Sequence, residues 1–203
     1  EVVGRSAKMV FEPLERGYGT TIGNSLRRML LSSLPGSAVT SVAFDGVTHE
    51  YDTIKGVRED VMDMILTLKE LDIRMEGDEA SSISLDVKGP AVVTAADIQC
   101  PAGLMVLNPE LVIAHLNDDG HLKCEATVAK GRGYDPATER EIDERAVGSL
   151  LVDASYSPAR RVATRVEPAR VGQRTDYDKL IMEIETDGSL SPEEAHNAAA
   201  AIL

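Results

Sequence analysis

Tryptophan is absent from this chain, and aromatic residues make up only 3% of its 203 positions. That leaves little from which to build a stacking platform for single-stranded nucleic acid. Basic side chains are in deficit as well: 21 Lys and Arg stand against 34 Asp and Glu, a formal net charge of −13. Broad binding to a phosphate backbone depends on neutralising phosphates, and this balance argues against it. The two cysteines, Cys100 and Cys124, form no CxxC pair and suit a reducing cytosol better than a disulfide framework. The four histidines, His49, His115, His121 and His196, lack metal-site spacing and cysteine neighbours. No apolar run approaches the ~20 residues that span a membrane, and no secretory h-region opens the chain. Catalytic frames are missing too: there is no nucleophile elbow, HExxH, dinucleotide fingerprint or Asp-x-Asp-x-Asp cluster. Triads need not show in spacing, but no catalytic residue and no metal ligand can be assigned, and a non-catalytic role fits better.

What is present is a core, with 43% hydrophobic residues, enough for one large domain or two small ones. The clearest element is a helix over 20–34, TTIGNSLRRMLLSSL. On a 3.6-residue period Ile22, Leu26, Met29, Leu30 and Leu34 share one side. Thr20 or Thr21 can cap its start, and Pro35-Gly36 stops it. Arg28 lies nearly opposite the stripe beside Asn24 and Ser32. Arg27 sits at the stripe's edge, where packing or an intrachain bond is expected. Gly17-x-Gly19 ahead of the helix lacks the surroundings of a phosphate loop.

Elsewhere 8–14 reads as a strand. Residues 38–44 and 47–51 read as a hairpin about Asp45-Gly46. Val57, Val61, Met64, Ile65 and Leu68 share a helical face, with Glu59, Asp60 and Asp63 at its start and Lys69 at its end. From 72 to 129 short strands predominate, including 83–87, 105–107 and 112–116, with 118–120 as a hairpin tip returning as 121–130. Residues 131–136 read as a loop, 137–145 as a charged exposed stretch and 147–152 as a strand. Basic residues cluster between Arg160 and Lys179 near strand-like 162–166, and 179–185 alternates like a half-buried strand. Ser191-Pro-Glu-Glu194 starts a helix with a capping box, and Ala195, Ala199, Ile202 and Leu203 line one of its sides.

Charge is unevenly distributed. Residues 36–157 hold ten basic and 23 acidic side chains, whereas 1–35 and 158–203 together are neutral. This pattern suggests a discontinuous domain, 1–35 with 158–203, interrupted by an acidic insert, 36–157. The expected fold class is α+β: a mixed sheet with helices on one side in the outer domain, and a mostly β insert. The outer domain has few other helices, so the stripes at 20–34 and 191–203 are expected to meet a second copy. Leu26, Leu30, Ala199 and Ile202 would then lie in a dimer interface above ~2,000 Å².

The run from Phe11 to Gly36, FEPLERGYGTTIGNSLRRMLLSSLPG, resembles the signature of the alpha subunit of bacterial DNA-directed RNA polymerase. The resemblance continues in order through His49-Glu50-Tyr51 with Gly56-Val57, Gly131-Arg-Gly-Tyr134, Val152-Asp153, Tyr156-Ser-Pro158, Gln173-Arg-Thr-Asp176 and Asp178-Lys-Leu180. It implies the amino-terminal assembly domain: an outer dimerisation domain interrupted by an insert domain. By that resemblance the homodimer is the platform for the beta and beta-prime subunits, with omega and sigma in the holoenzyme, in the bacterial cytosol. The enzyme is a nucleotidyltransferase, and its magnesium and zinc belong to the large subunits, with no cofactor in this chain. Arg28 matches the family's beta-subunit contact, with Asn24 and Ser32 flanking it. Lys69, Val152 and Lys179 match beta-prime contacts. The chain opens on Glu1 rather than Met and ends in mid-pattern, so an earlier segment and a longer final helix are expected. In the family a linker and a DNA-binding domain follow, so DNA is expected to be met only weakly or indirectly through these residues. The rivals are a free-standing metabolic enzyme and a small nucleic-acid-binding module. Dimerisation without activity and with weak DNA binding would favour the scaffold.

Overall fold

The structure, a computed structural model, describes residues 2–140 and 148–203. In chain order its elements are β1 (Val2–Val3), β2 (Ser6–Leu14), α1 (Tyr18–Ser32), β3 (Pro35–Phe44), α2 (Val61–Leu68), β4 (Ile73–Met75), β5 (Ser81–Lys88), β6 (Ala91–Thr94), β7 (Leu104–Val106), β8 (Val112–Leu116), β9 (His121–Arg132), β10 (Tyr134–Asp135), β11 (Leu150–Leu151), β12 (Ala154–Ser155), β13 (Ala159–Val171), β14 (Arg174–Thr186) and α3 (Pro192–Ile202). The fold is α+β with a β-rich insert. The chain folds as two compact units, Glu1–Pro35 with Ser157–Leu203, and Gly36–Tyr156.

The first unit is a four-stranded sheet, ordered β1-β2-β14-β13, with α1 and α3 packed on it. Its pairings are all antiparallel, so the expected mixed sheet is corrected. The cause is the long hairpin closed at Val171↔Arg174, whose second strand then takes β2 as its other neighbour. The two-residue period of β14 turns Leu180, Met182 and Ile184 towards the helices and Glu183 and Glu185 to solvent. Leu26 and Leu30 of α1, Leu34 after it, and Ala195 and Ala199 of α3 complete this core. Each leucine so buried stabilises the unit by about 1.5–3 kcal/mol. The α3 capping box forms as its sequence demands: Glu194 N–H donates to Ser191 Oγ at 3.2 Å and Ser191 N–H to Glu194 Oε2 at 2.8 Å.

In the second unit β11-β3-β9-β5 form one sheet, accompanied by two-stranded pairs β4-β7, β6-β8 and β10-β12. Val61, Met64, Ile65 and Leu68 place α2 in its core, beside Val42, Leu85 and Leu122. Several expectations are corrected here. The Asp45-Gly46 turn exists, with Val47 N–H donating to Phe44 O at 3.3 Å. Residues 47–51 do not return as a strand: β3 has β11 and β9 as its neighbours. Thr48 N–H and Oγ1 instead bond Asp52 Oδ2 at 3.1 and 3.4 Å, a local alternative to a sheet ladder. Helix α2 begins at Val61, not Val57, because Asp60 caps it by accepting from Asp63 N–H at 2.7 Å. The turn at 118–120 joins different sheets, since β8 pairs with β6 and β9 with β5. The stretch 131–136 is not all loop, because β9 runs to Arg132 and β10 pairs with β12. Of the strand expected at 147–152 only Leu150–Leu151 is extended in a sheet. Val147, and 141–145 of the expected exposed stretch, lie outside the described residues.

Candidate functional site

The best-defined surface in the first unit is the outer face of α1, and its geometry starts at the helix N-terminus. Gly17 N–H and Gly19 N–H both donate to Asp178 Oδ2, at 2.8 and 3.1 Å. The dipole and unpaired amides of a helix start attract an anion, and here a carboxylate from β14 supplies it. Gly17 takes φ 89°, a conformation that favours glycine. A Cβ on Gly19 would lie 3.0 Å from both Asp178 Cβ and Val166 Cγ1. The helix therefore starts at Tyr18, and the expected threonine caps are corrected: Thr20 and Thr21 lie inside it, with Thr21 Oγ1 donating back to Gly17 O at 3.2 Å. The helix ends at Ser32, where the Ser33 N–H donates to Met29 O, leaving Leu34 buried beyond it. Asp178→Ala is expected to cost about 0.5–2 kcal/mol, as loss of a helix cap does, with Asp178→Asn recovering most of it. Urea denaturation checks this, and equal stability of all three chains would count against the clamp.

With the inner face of α1 committed to the core, its outer face is held in place. Arg27 Nε donates to Val162 O at 3.2 Å, an intrachain bond to β13. Arg28 and Asn24 are exposed, and among the described residues neither side chain makes a hydrogen bond or ion pair. Ser32 Oγ donates to Arg28 O at 2.7 Å, so its hydroxyl is spent on the helix backbone. One face thus presents a guanidinium with its donors free, on a rigid element.

The expected dimer residues divide. Leu26 is 4% exposed, and Leu30 and Ala199 are 0% exposed, all within this chain's own core. Buried there, their side chains leave a second copy little surface to touch. The amphipathic stripe marks them for burial, and the sheet beneath them fills that need. Ile202 differs, being 44% exposed. Leu203, on the same side of α3, is exposed too, as is Leu31, an apolar position that the α1 stripe did not single out.

Lys69 and Val152 meet in the second unit around a residue that was not singled out, Asp153. Lys69 Nζ donates to Asp153 Oδ2 at 3.2 Å, and Ala137 N–H donates to Asp153 Oδ1 at 2.9 Å. Val152 is buried at 1% exposure, its side chain packed in the core of the second unit. Its N–H donates to Thr40 O at 2.9 Å and its carbonyl accepts from Arg140. Arg140 also reaches Thr40 O at 2.9 Å and Asp135 Oδ2 at 3.2 Å, joining three segments around Lys69's partner. Lys179 belongs to the first unit, 3.9 Å from Glu12. The only sequence trace of Asp153 is its place in the Val152-Asp153 match.

The Ala137 amide, and after it Lys69, hold the Asp153 carboxyl below its ordinary value of 3.8. Asp52 is lowered chiefly by the Thr48 amide, and Asp86 chiefly by the His121 ring at 2.7 Å. Desolvation raises Glu59, but the His115 amide and ring outweigh it and leave it lowered. A carboxyl lowered by folding contributes stability above its unfolded pKa and loses it as pH falls through the folded value. Thermal unfolding of the second unit is therefore expected at lower temperature as pH falls through and below about 4. Lys69→Gln should flatten that dependence. A profile that is level down to the acid limit, or one that Lys69→Gln leaves unaltered, would contradict the Asp153 assignment.

Burial pushes the Cys124 thiol up to about 12, away from the reactive thiolate. Among the described residues no group of three or more His, Cys, Asp or Glu could hold a metal ion. Nor is any described helix long and apolar enough to cross a membrane. Residues 42–157, more than half of the chain, match a family described as the RNA polymerase Rpb3/RpoA insert domain.

Proposed function

The chain belongs to the RNA polymerase Rpb3/RpoA family, and we propose that it is the amino-terminal assembly domain of a bacterial alpha subunit. It is a subunit of the transcribing nucleotidyltransferase and has an assembly role. In this reading two copies form the platform on which beta and beta-prime assemble, with omega and sigma joining in the cytoplasm. Magnesium and zinc reside in the large subunits. The observation that carries the reading is the outer face of α1, where Arg28 stands exposed, its donors unmet among the described residues, on a helix anchored by core and clamp alike. A planar five-donor guanidinium so presented suits carboxylates or carbonyls of another chain. This is the beta-subunit surface, flanked by Asn24 and by the Ser32 turn. Lys69 and Lys179, each with 30% of its side chain exposed, supply beta-prime contacts, and Val152 shapes the backbone beside Lys69. Co-expression with the two large subunits tests the reading: co-purification of all three supports it, and recovery of the chain without either rejects it.

The dimer surface in this reading consists of the apolar residues that the first unit's core leaves uncovered on and after its helices: Leu31, Ile202 and Leu203. The double variant Leu31→Asp, Ile202→Asp is expected to sediment as a folded monomer where the parent sediments as a dimer. A dimer that survives both charges at unchanged affinity would exclude this surface.

A further inference from the structure

The chain contains three Asp-Gly steps, at 45–46, 119–120 and 187–188, and the fold treats them differently. Gly120 is buried, and its N–H donates to Asn117 O at 3.0 Å. Gly188 N–H donates to Thr186 Oγ1 at 3.3 Å, and the buried Asp187 carboxylate accepts from Ser189 N–H and Oγ at 2.8 and 2.5 Å. At 45–46 both residues are exposed, and among the described residues Gly46 N–H has no acceptor. A Cβ built on Gly46 would meet nothing within 4 Å, so the turn is uncrowded on that side. Among the described residues Asp45 itself is tied only through its backbone, its N–H donating to Lys123 O at 3.0 Å.

We propose that Asp45 is a site of spontaneous isoaspartate formation, made by the freedom of the Gly46 amide and withheld at the other two steps by their hydrogen bonds. The Gly46 nitrogen attacks Asp45 Cγ. The Cγ–OH bond breaks, and the hydroxyl leaves with the proton from Gly46 nitrogen as water. The resulting succinimide takes up one water. Opening at the Cα carbonyl leaves the backbone running through Cγ, with a free α-carboxylate, and opening at Cγ restores aspartate. No oxidant or other reactant is required. The product carries one extra methylene in the main chain where β3 leaves its last bond to β9. Its α-carboxylate is the group that S-adenosylmethionine-dependent isoaspartyl carboxyl methyltransferases modify.

The test is to hold the purified full chain at neutral pH and physiological temperature. Isoaspartate is then read at each step, by electron-transfer fragmentation of its peptides and by radiolabelled methyl transfer from S-adenosylmethionine. In the folded chain the rate at 45 should exceed that at 119 and 187 by at least about fivefold, the factor that one net backbone hydrogen bond contributes. In urea the three rates should converge. Asp45→Glu, at an exposed position, should remove the folded chain's main methyl-acceptor site. Equal rates at the three steps in the folded chain would overturn the proposal. So would a ranking that persists in urea, because flanking sequence and not the fold would then set it.

Discussion

Leu30→Asp is expected to abolish cooperative folding of the first unit while leaving the second unit's own transition in place. Leu30 is 0% exposed and shares a core with Leu180, Met182 and Ile184. Removing its side chain as Leu30→Ala should cost about 2–5 kcal/mol, the transfer and cavity terms together. An aspartate there adds the burial of an unpaired carboxylate, a further several kcal/mol. Domains of this kind are stable by only about 5–15 kcal/mol, so the loss approaches or exceeds what is available. The second unit has a separate core containing Val61, Met64 and Leu122 and should retain its amide protection. Hydrogen exchange resolves the two units, and a Leu30→Asp chain with normal protection in β2, β13 and β14 would refute the account. Leu31→Asp, one residue along and exposed, is the control expected to fold. The pair separates core damage from loss of a dimer, a distinction that a charge at Leu26 or Leu30 alone cannot make.

Arg28→Ala should do the reverse: preserve fold and sedimentation while losing capture of the beta subunit. No described contact within the chain depends on this side chain, so stability should change by less than about 0.5 kcal/mol. Truncating one partner of a desolvated, hydrogen-bonded charge contact costs about 2–5 kcal/mol. That corresponds to roughly 30-fold to several-thousand-fold in affinity. Arg28→Lys should rescue only in part, because an ammonium keeps the charge but not the fork geometry. A titrated pull-down beside sedimentation of each variant decides this. Undiminished capture by Arg28→Ala would return the residue to an ordinary solvated arginine.

Some features that lie within a few residues of one another were legible, and most that depend on distant partners were not. The α3 capping box lies within four consecutive residues, Ser191 to Glu194, and strand β8 is an apolar run between turn residues. The stripe through Leu26 and Leu30 says that this side is buried, but periodicity cannot say by what. The answer, strands β13 and β14, lies more than a hundred residues away. The start of α1 looked like a threonine cap because Thr20 and Thr21 suit that role. The group that satisfies its amides is Asp178, 161 positions from Gly17. Lys69 likewise gave no sign of Asp153, 84 positions on. Arg28 is the complementary case: the flanking Asn24 and Ser32 already exclude an intrahelical ion pair, and the described residues bring no other acceptor.

The link between Gly17 and Asp178 also sets an order of events during synthesis on the ribosome. When α1 leaves the exit tunnel, neither the carboxylate that fixes its first turn nor the strand that covers its leucines has been made. The whole of Gly36–Tyr156 must be translated first, which at about 5–20 residues per second takes roughly 6–24 seconds. During that interval the insert can close around its own core. The first 35 residues wait with Leu26 and Leu30 uncovered, the period in which a nascent chain is most open to chaperones and to premature association. Late translation of β14 thus delivers, in one strand, both the partner for β2 and the anchor for the helix.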